Sequence, residues 1–226
     1  MTVLHLADEG EAADLAAFLS RLLHYDRGAA VRLQAAGTAL AVFGRPPSFE
    51  VLAIRAVRLA KPYENGLDVT LDVTVSAGEL LESVDETAAT AAVPGAVTGP
   101  PWAGVLPPRG GWRPEAGLPG PDALREMVGA AVGEFRRRTE ELAPERRTRA
   151  ELDRIGREIW SRTVGNTGLP VRAVHAAQSL GFLRPAAGAS QDAGLFSSGA
   201  WLRLRTPYGS IAVRRTGLGG LDLSVR

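Results

Sequence analysis
The chain has 226 residues, 45% of them hydrophobic, enough to bury a sizeable core; it has no cysteine, which excludes disulfides, thiol nucleophiles and thiolate metal sites. Its net charge of +1 hides an acidic front and a basic back. Residues 1–122 carry nine basic against fifteen acidic residues, a formal −6, and residues 123–226 carry seventeen against ten, a formal +7.

Met1 leads straight into Thr2-Val3-Leu4-His5 and then acidic residues, without the basic start and apolar run of a secretory signal. No apolar stretch approaches the roughly 20 residues that cross a bilayer. The expectation is a soluble, cytoplasmic chain with no membrane partner. Asp8-Glu9-Gly10-Glu11 reads as a helix cap, and Leu15, Phe18, Leu19, Leu22 and Leu23 recur at helical spacing, predicting an amphipathic helix over residues 9–24. Strands follow. Val31 and Leu33 alternate with Arg32 and Gln34, Gly37 turns into residues 39–43, Arg45-Pro46-Pro47 breaks the pattern, and a third strand runs over residues 49–59.

Asn65-Gly66 marks a turn into residues 67–75, where Leu67, Val69, Leu71, Val73 and Val75 face one side and Asp68, Thr70, Asp72 and Thr74 the other, predicting a sheet with one wet face. Ser76-Ala77-Gly78-Glu79 opens a short helix. Residues 94–121 hold eight of the fifteen prolines and seven of the 26 glycines, a composition that sustains neither helix nor ladder. Trp102 and Trp112 lie within it, and a solvated linker rarely carries tryptophan, so it is read as a strap docked on a folded surface.

Asp122 is expected to cap a helix over residues 123–142, with Leu124, Met127, Val128, Ala131 and Phe135 inward. Pro144 ends it. A second helix is expected over residues 149–162, and Pro170 begins a third that runs to residue 182. Residues 201–205 and 210–214 flank Thr206-Pro207-Tyr208-Gly209 as a hairpin, with Leu202, Leu204, Ile211 and Val213 inside and Arg203, Arg205 and Arg214 outside. Residues 218–225 read as a weak further strand.

The fold class expected is α+β in three parts. An N-terminal helix plus antiparallel sheet meander spans residues 1–93, the strap residues 94–121, and a basic C-terminal helical unit with its β-hairpin residues 122–226. Two helices, a turn and a basic hairpin resemble a winged helix in element order. That resemblance implies Arg172, His175 and Ser179 on a major-groove helix, with Arg203, Arg205, Arg214 and Arg215 on phosphates.

The charge split suits either a polyanionic partner or docking of one half on the other. Every basic residue except Lys61 is arginine. Together with heavy use of alanine, glycine and proline, this is what a GC-rich genome encodes, and it discounts arginine as a sign of nucleic-acid recognition. The runs Arg136-Arg137-Arg138 and Arg146-Arg147-Thr148-Arg149 are interleaved with glutamates, so Glu134–Arg138, Arg137–Glu141 and Glu145–Arg149 are expected to pair on solvated helix faces. The carboxylates Asp68, Asp72, Glu79, Glu82, Asp85 and Glu86 read as solubilising. Neither G-x-S-x-G nor a phosphate loop occurs, and Gly217-Leu218-Gly219-Gly220 opens no nucleotide-binding unit.

Only His5, His24 and His175 are available as imidazoles, none with a second histidine at helical ligand spacing, so no metal, cofactor or catalytic residue is expected. The expected function is a non-catalytic interaction or regulatory protein that meets a protein partner, or itself, through Trp102, Trp112, Trp201, Arg203, Arg205, Arg214 and Arg215. A DNA-binding regulator is the alternative, with nucleic acid as its partner. An enzyme using carboxylates and arginine ranks third.

Overall fold
Asp8 Oδ1 accepts a hydrogen bond from Glu11 N–H at 2.8 Å, satisfying one of the donors left free at the start of helix α1, Glu9–Tyr25. The computed structural model describes residues 2–60, 71–185 and 193–215. One face of α1 buries Ala12, Leu15, Phe18, Leu19 and Leu22, which is the stripe its 3.6-residue period requires.

The chain then runs as strands β2 (Ala30–Ala36), β3 (Ala39–Gly44) and β4 (Leu52–Arg58), with Gly37 at φ +59° supplying the left-handed residue of the β2–β3 turn. Strand β5 (Asp72–Ser76) pairs with β2, and Ser76 Oγ accepts from Glu79 N–H to cap helix α2 (Ala77–Glu82). The short strands β1 (Val3–His5), β6 (Val84–Asp85) and β7 (Thr90–Ala92) form a separate three-stranded sheet, ordered β1-β7-β6.

After strand β8 (Arg113–Glu115) come helices α3 (Pro121–Glu140), α4 (Arg149–Trp160) and α5 (Val171–Ser179), then strands β9 (Gly194–Ser198), β10 (Trp201–Thr206) and β11 (Gly209–Arg214). The architecture is α+β. The meander and the C-terminal hairpin are strands of one eight-stranded antiparallel sheet, ordered β5-β2-β3-β4-β11-β10-β9-β8. The join is β4 against β11, with Ile54 opposite Ser210, Ala53 opposite Ile211 and Leu52 opposite Ala212.

Helices from both segments cover one face. Its core is a single cluster that unites Leu15, Phe18 and Leu19 with Ile155, Phe182, Leu204 and Ile211. The rings of Phe18 and Phe182 stack at 5.7 Å across the two segments. The charge split is partly spent on the same docking. Arg184 pairs with Asp14, Arg215 with Glu115 at 2.8 Å, and Arg172 lies 3.9 Å from Glu50.

Several expectations change. The proline-rich strap does enter a ladder, because β8 lies at the sheet edge, where Pro114 removes no bond from a second neighbour. Asp122 does not cap α3. Gly120 is the cap residue, Pro121 occupies the first turn with its preset φ, and Asp122 pairs with Arg125 instead. The wet face foreseen for β5 is partly roofed, since the strap lies on it and Thr74 is only 4% exposed. Strand β9 was not foreseen, because Gly194-Leu195-Phe196-Ser197-Ser198 offers only two adjacent apolar residues and no alternation. The Asn65-Gly66 turn, residues 67–70 with Asp68, the 217–220 glycines and the strand expected over 218–225 lie outside the described residues.

The arginine runs of α3 and α4 are laced with ion pairs. Arg138 reaches Glu134 at 3.4 Å and Arg137 reaches Glu141 at 2.9 Å, while Arg149 faces Asp153 at 3.9 Å rather than Glu145. The stronger contacts cross between helices. Arg138 donates to both carboxylate oxygens of Glu158 at 2.7 and 2.8 Å, and Arg162 to both of Glu134 at 2.6 and 2.8 Å. Hydrogen bonds from Arg162, above all, hold the Glu134 carboxyl down at about 2, from an ordinary 4.5.

A carboxylate whose pKa is lower folded than unfolded stabilises above the unfolded value, and that contribution disappears as pH falls through the folded one. Stability should therefore drop between 4.5 and about 2. Glu134→Gln is expected to flatten that part of a melting-temperature profile against pH; an unchanged slope would place the acid sensitivity elsewhere.

Candidate functional site
The register fixes which side chains share the sheet face away from the helices. One row runs Arg32, Phe43, Ile54, Ser210, Arg205, and the next runs Leu52, Ala212, Arg203, Phe196. Buried Phe43, Leu52, Ile54 and Ala212 form a second apolar cluster here, against which Ala41, Trp102, Leu106 and Trp201 pack. This face would be wet if the strap did not cross it.

The strap is held by backbone bonds and by close approach. Val97 N–H donates to Thr74 O, and a Cβ added at Gly99 would lie 3.1 Å from Thr74 Oγ1. Pro101 starts a 3-10 turn, Pro101–Gly104, that seats Trp102. Further on, Trp112 Nε1–H donates to Pro108 O at 3.0 Å, which folds the strap back over β10.

Arginines of the hairpin stand over these indoles. The Arg203 guanidinium lies 5.6 Å from the Trp112 ring centroid, and that of Arg214 lies 5.5 Å from that of Trp201, its cross-strand partner. Both distances fall within cation–π range. Burial, and then the like charge of Arg205, push the Arg203 pKa below its ordinary value. Among the described residues no carboxylate pairs with Arg203, Arg205 or Arg214. Arg215 differs, since Glu115 takes it. The Glu115 carboxyl is lowered chiefly by its hydrogen bond with Ser197, then by Arg215.

Two clefts flank the strap. One, of about 350 Å³, is lined by Gln34, Ala41, Phe43, Ile54, Arg109 and Arg203. The other, of about 470 Å³, has Leu52 and Ala212 on its floor, Trp102 and Trp201 on its walls, and Arg45, Arg172, Arg214 and Glu50 around it. Four residues singled out in the sequence therefore converge on this larger cleft, three of them (Trp102, Trp201 and Arg214) from the strap and hairpin face and one, Arg172, from the first turn of α5. Arg45 and Glu50 carry no sequence signal, because they sit in the irregular break between β3 and β4, where no periodicity aligns them with anything.

The residues proposed for a DNA-reading helix do not stand clear of the body. Helix α5 buries Val171, Ala173, Val174, Ala176 and Ala177. His175 stacks on Trp160 at 4.5 Å and meets the edge of Phe49 at 5.0 Å, and burial lowers its pKa. Ser179 is half-buried at the end of the helix. The hairpin that would be the wing lies inside the eight-stranded sheet, paired on both sides.

Among the described residues no group of three or more His, Cys, Asp or Glu side chains is placed to hold a metal ion. No helix among them is long and apolar enough to cross a membrane. Residues 1–104 are similar to a family described as domain of unknown function DUF8010, and residues 107–218 to one described as domain of unknown function DUF8185. No curated protein matches the chain. The seam between the two matched segments falls in the strap, immediately after Trp102 and its turn.

Proposed function
We propose, from the surface alone, that this chain is a non-catalytic, cytoplasmic binding protein that meets a protein partner through the sheet face crossed by the strap. The observation that carries the reading is the set of hairpin arginines, Arg203, Arg205 and Arg214, which have no carboxylate partner among the described residues and are set among tryptophans on one face. Tryptophan and arginine are the side chains most enriched at interface hot spots, where a rigid apolar ring and a forked cation each bind with little loss of conformational freedom. Half-burial of Trp112 and Trp201 by the chain itself pre-orders them, which lowers the entropic cost of docking.

The test is affinity capture from the source cells with the natural chain and with the double variant Arg203→Glu, Arg214→Glu, each first shown to unfold cooperatively. The natural chain is expected to hold a defined protein in stoichiometric amount, and the variant to bind that protein at least about thirtyfold more weakly, the loss expected of a hot-spot side chain. Identical captured proteins for both chains, or a monomer that captures nothing, would overturn the reading.

A further inference from the structure
The cleft between the strap and the β4–β11 join has features that specify its occupant more narrowly than a protein surface in general. Resting on the interaction reading above, we infer that this cleft receives an extended acidic segment of the partner, with carboxylates on Arg45, Arg172 and Arg214 and an apolar side chain on the floor between the two tryptophans.

Charge complementarity comes first. Three guanidinium groups surround the cleft against one carboxylate, that of Glu50. Among the described residues Arg45 and Arg214 have no ionic partner, and Arg172 has only Glu50 at 3.9 Å, too far for a hydrogen bond. The Arg172 side chain keeps 21% of its surface exposed, so an incoming carboxylate meets a guanidinium that Glu50 leaves without a close ion pair.

The floor comes second. Leu52 and Ala212 are buried, and Val105 on the rim is 49% exposed, the highest value among the large hydrophobic side chains of the described residues. An isolated anion would leave that apolar surface wet, whereas a peptide segment alternating charged and apolar side chains covers both.

A chain also fits better than a compact ligand because the smaller cleft, with Arg203 and Arg109, opens on the other side of the strap over the same apolar cluster. Carboxylates are favoured over nucleobases by the state of the rings. Arg214 stands over Trp201 and Arg203 over Trp112, so of the cleft's two indoles only Trp102 has no cation over it, one platform where a single-stranded nucleic acid stacks successive bases on several.

Glu50 then acts as a stand-in. It occupies the left-handed region at φ +52°, where a side-chain-bearing residue is strained, and it places the only carboxylate that lines the cleft among the described residues toward Arg172. A partner carboxylate competes with it directly.

The experiment titrates the full chain into a fluorescently labelled synthetic peptide in which Glu and Leu alternate, and into its Gln–Leu counterpart, following anisotropy at low salt. The Glu peptide is expected to bind saturably and about tenfold more tightly than the Gln peptide. Arg45→Glu and Arg214→Glu, both exposed changes, are each expected to weaken it about fivefold, and Glu50→Gln to tighten it about threefold by removing the competing charge.

Equal affinity for the two peptides, or indifference to Arg45→Glu and Arg214→Glu, would overturn the inference. So would displacement of the peptide by equimolar inorganic phosphate, which marks a small-anion site, or tighter binding of an oligo-dT strand, which marks a nucleic-acid surface. Failure here with continued loss of the captured protein by Arg203→Glu, Arg214→Glu sinks this inference and leaves the interaction reading standing; peptide binding without any captured protein overturns the interaction reading, and with it the assignment of the segment to a partner.

Discussion

Expressed separately, residues 1–104 and residues 107–226 are each expected to lack a cooperative unfolding transition, and to regain one when co-expressed. The two segments match different families, yet they do not own separate cores. Cutting at the seam removes β11 from β4 and leaves β4 as an edge whose residues are buried on both faces, with Ala53 and Val57 inward and Leu52 and Ile54 outward. An apolar edge of that kind seeks another strand, so aggregation is the expected fate of the front segment.

The cut also leaves Phe18 without Phe182 and opens the shared cluster to water. Shorter chains bury a smaller fraction of their surface, and each segment would face the full entropy of ordering with only part of the core. Far-UV circular dichroism with urea melts of the two pieces, apart and together, decides the point. A sharp two-state melt from either piece alone would show that it folds independently.

The second large effect is expected at Arg55. Its side chain is 6% exposed, between β4, α1 and the hairpin turn. It reaches Glu11 at 2.9 Å and Asp14 at 3.2 Å, and donates to the Tyr208 carbonyl at 2.8 Å. Arg55→Ala leaves Glu11 and Asp14 with a missing cation and Tyr208 O with a missing donor.

Removing one member of a buried pair typically costs about 3–5 kcal/mol. The lower end applies here, because Glu11 keeps Arg58 and Asp14 keeps Arg184. A loss of about 3 kcal/mol corresponds to a fall of roughly 6–12 °C in melting temperature for a domain of this size. Arg55→Lys should recover only part of it, since a single ammonium cannot span both carboxylates and the carbonyl in the fork geometry of a guanidinium. A melting temperature within a degree or two of the natural chain for Arg55→Ala would contradict this account.

Both results concern how the halves are tied, and so does the charge asymmetry. Part of the negative front neutralises the positive back through Asp14, Glu50 and Glu115. Of the arginines left without a carboxylate among the described residues, Arg203, Arg205 and Arg214 share the outer sheet face, while Arg136, Arg147 and Arg157 lie on the helical segment. Of the hairpin arginines, Arg203 and Arg214 are the ones that stand beside tryptophans.

What could be read directly from the residues was local. The caps at Asp8 and Ser76 act over three positions, and each accepts the N–H three residues on. The alternation of Leu202, Leu204, Ile211 and Val213 assigned the inner face of the hairpin, because period two admits only one buried side. The tryptophans marked the strap as docked, since burying an indole outweighs the cost of ordering a short proline-rich segment.

Tertiary structure decided everything that depended on pairing between distant segments. No periodicity tells Ile54 that it will lie opposite Ser210, or Gly194-Leu195-Phe196 that it will find β10, because strand registers of this kind are set by the whole core rather than by neighbours in sequence. The same holds for Thr74, polar by pattern yet covered by the strap, and for Arg45 and Glu50, which acquire their meaning only where β4, β11 and α5 bring them beside Trp102 and Trp201. The sequence by itself determined the long helices, the meander and hairpin strands, their inner faces and the type of chemistry on offer; the tertiary structure alone added the short strands β1, β6, β7, β8 and β9 and gathered those side chains into one cleft, because burial of a common apolar core is what drew the two oppositely charged halves into a single sheet.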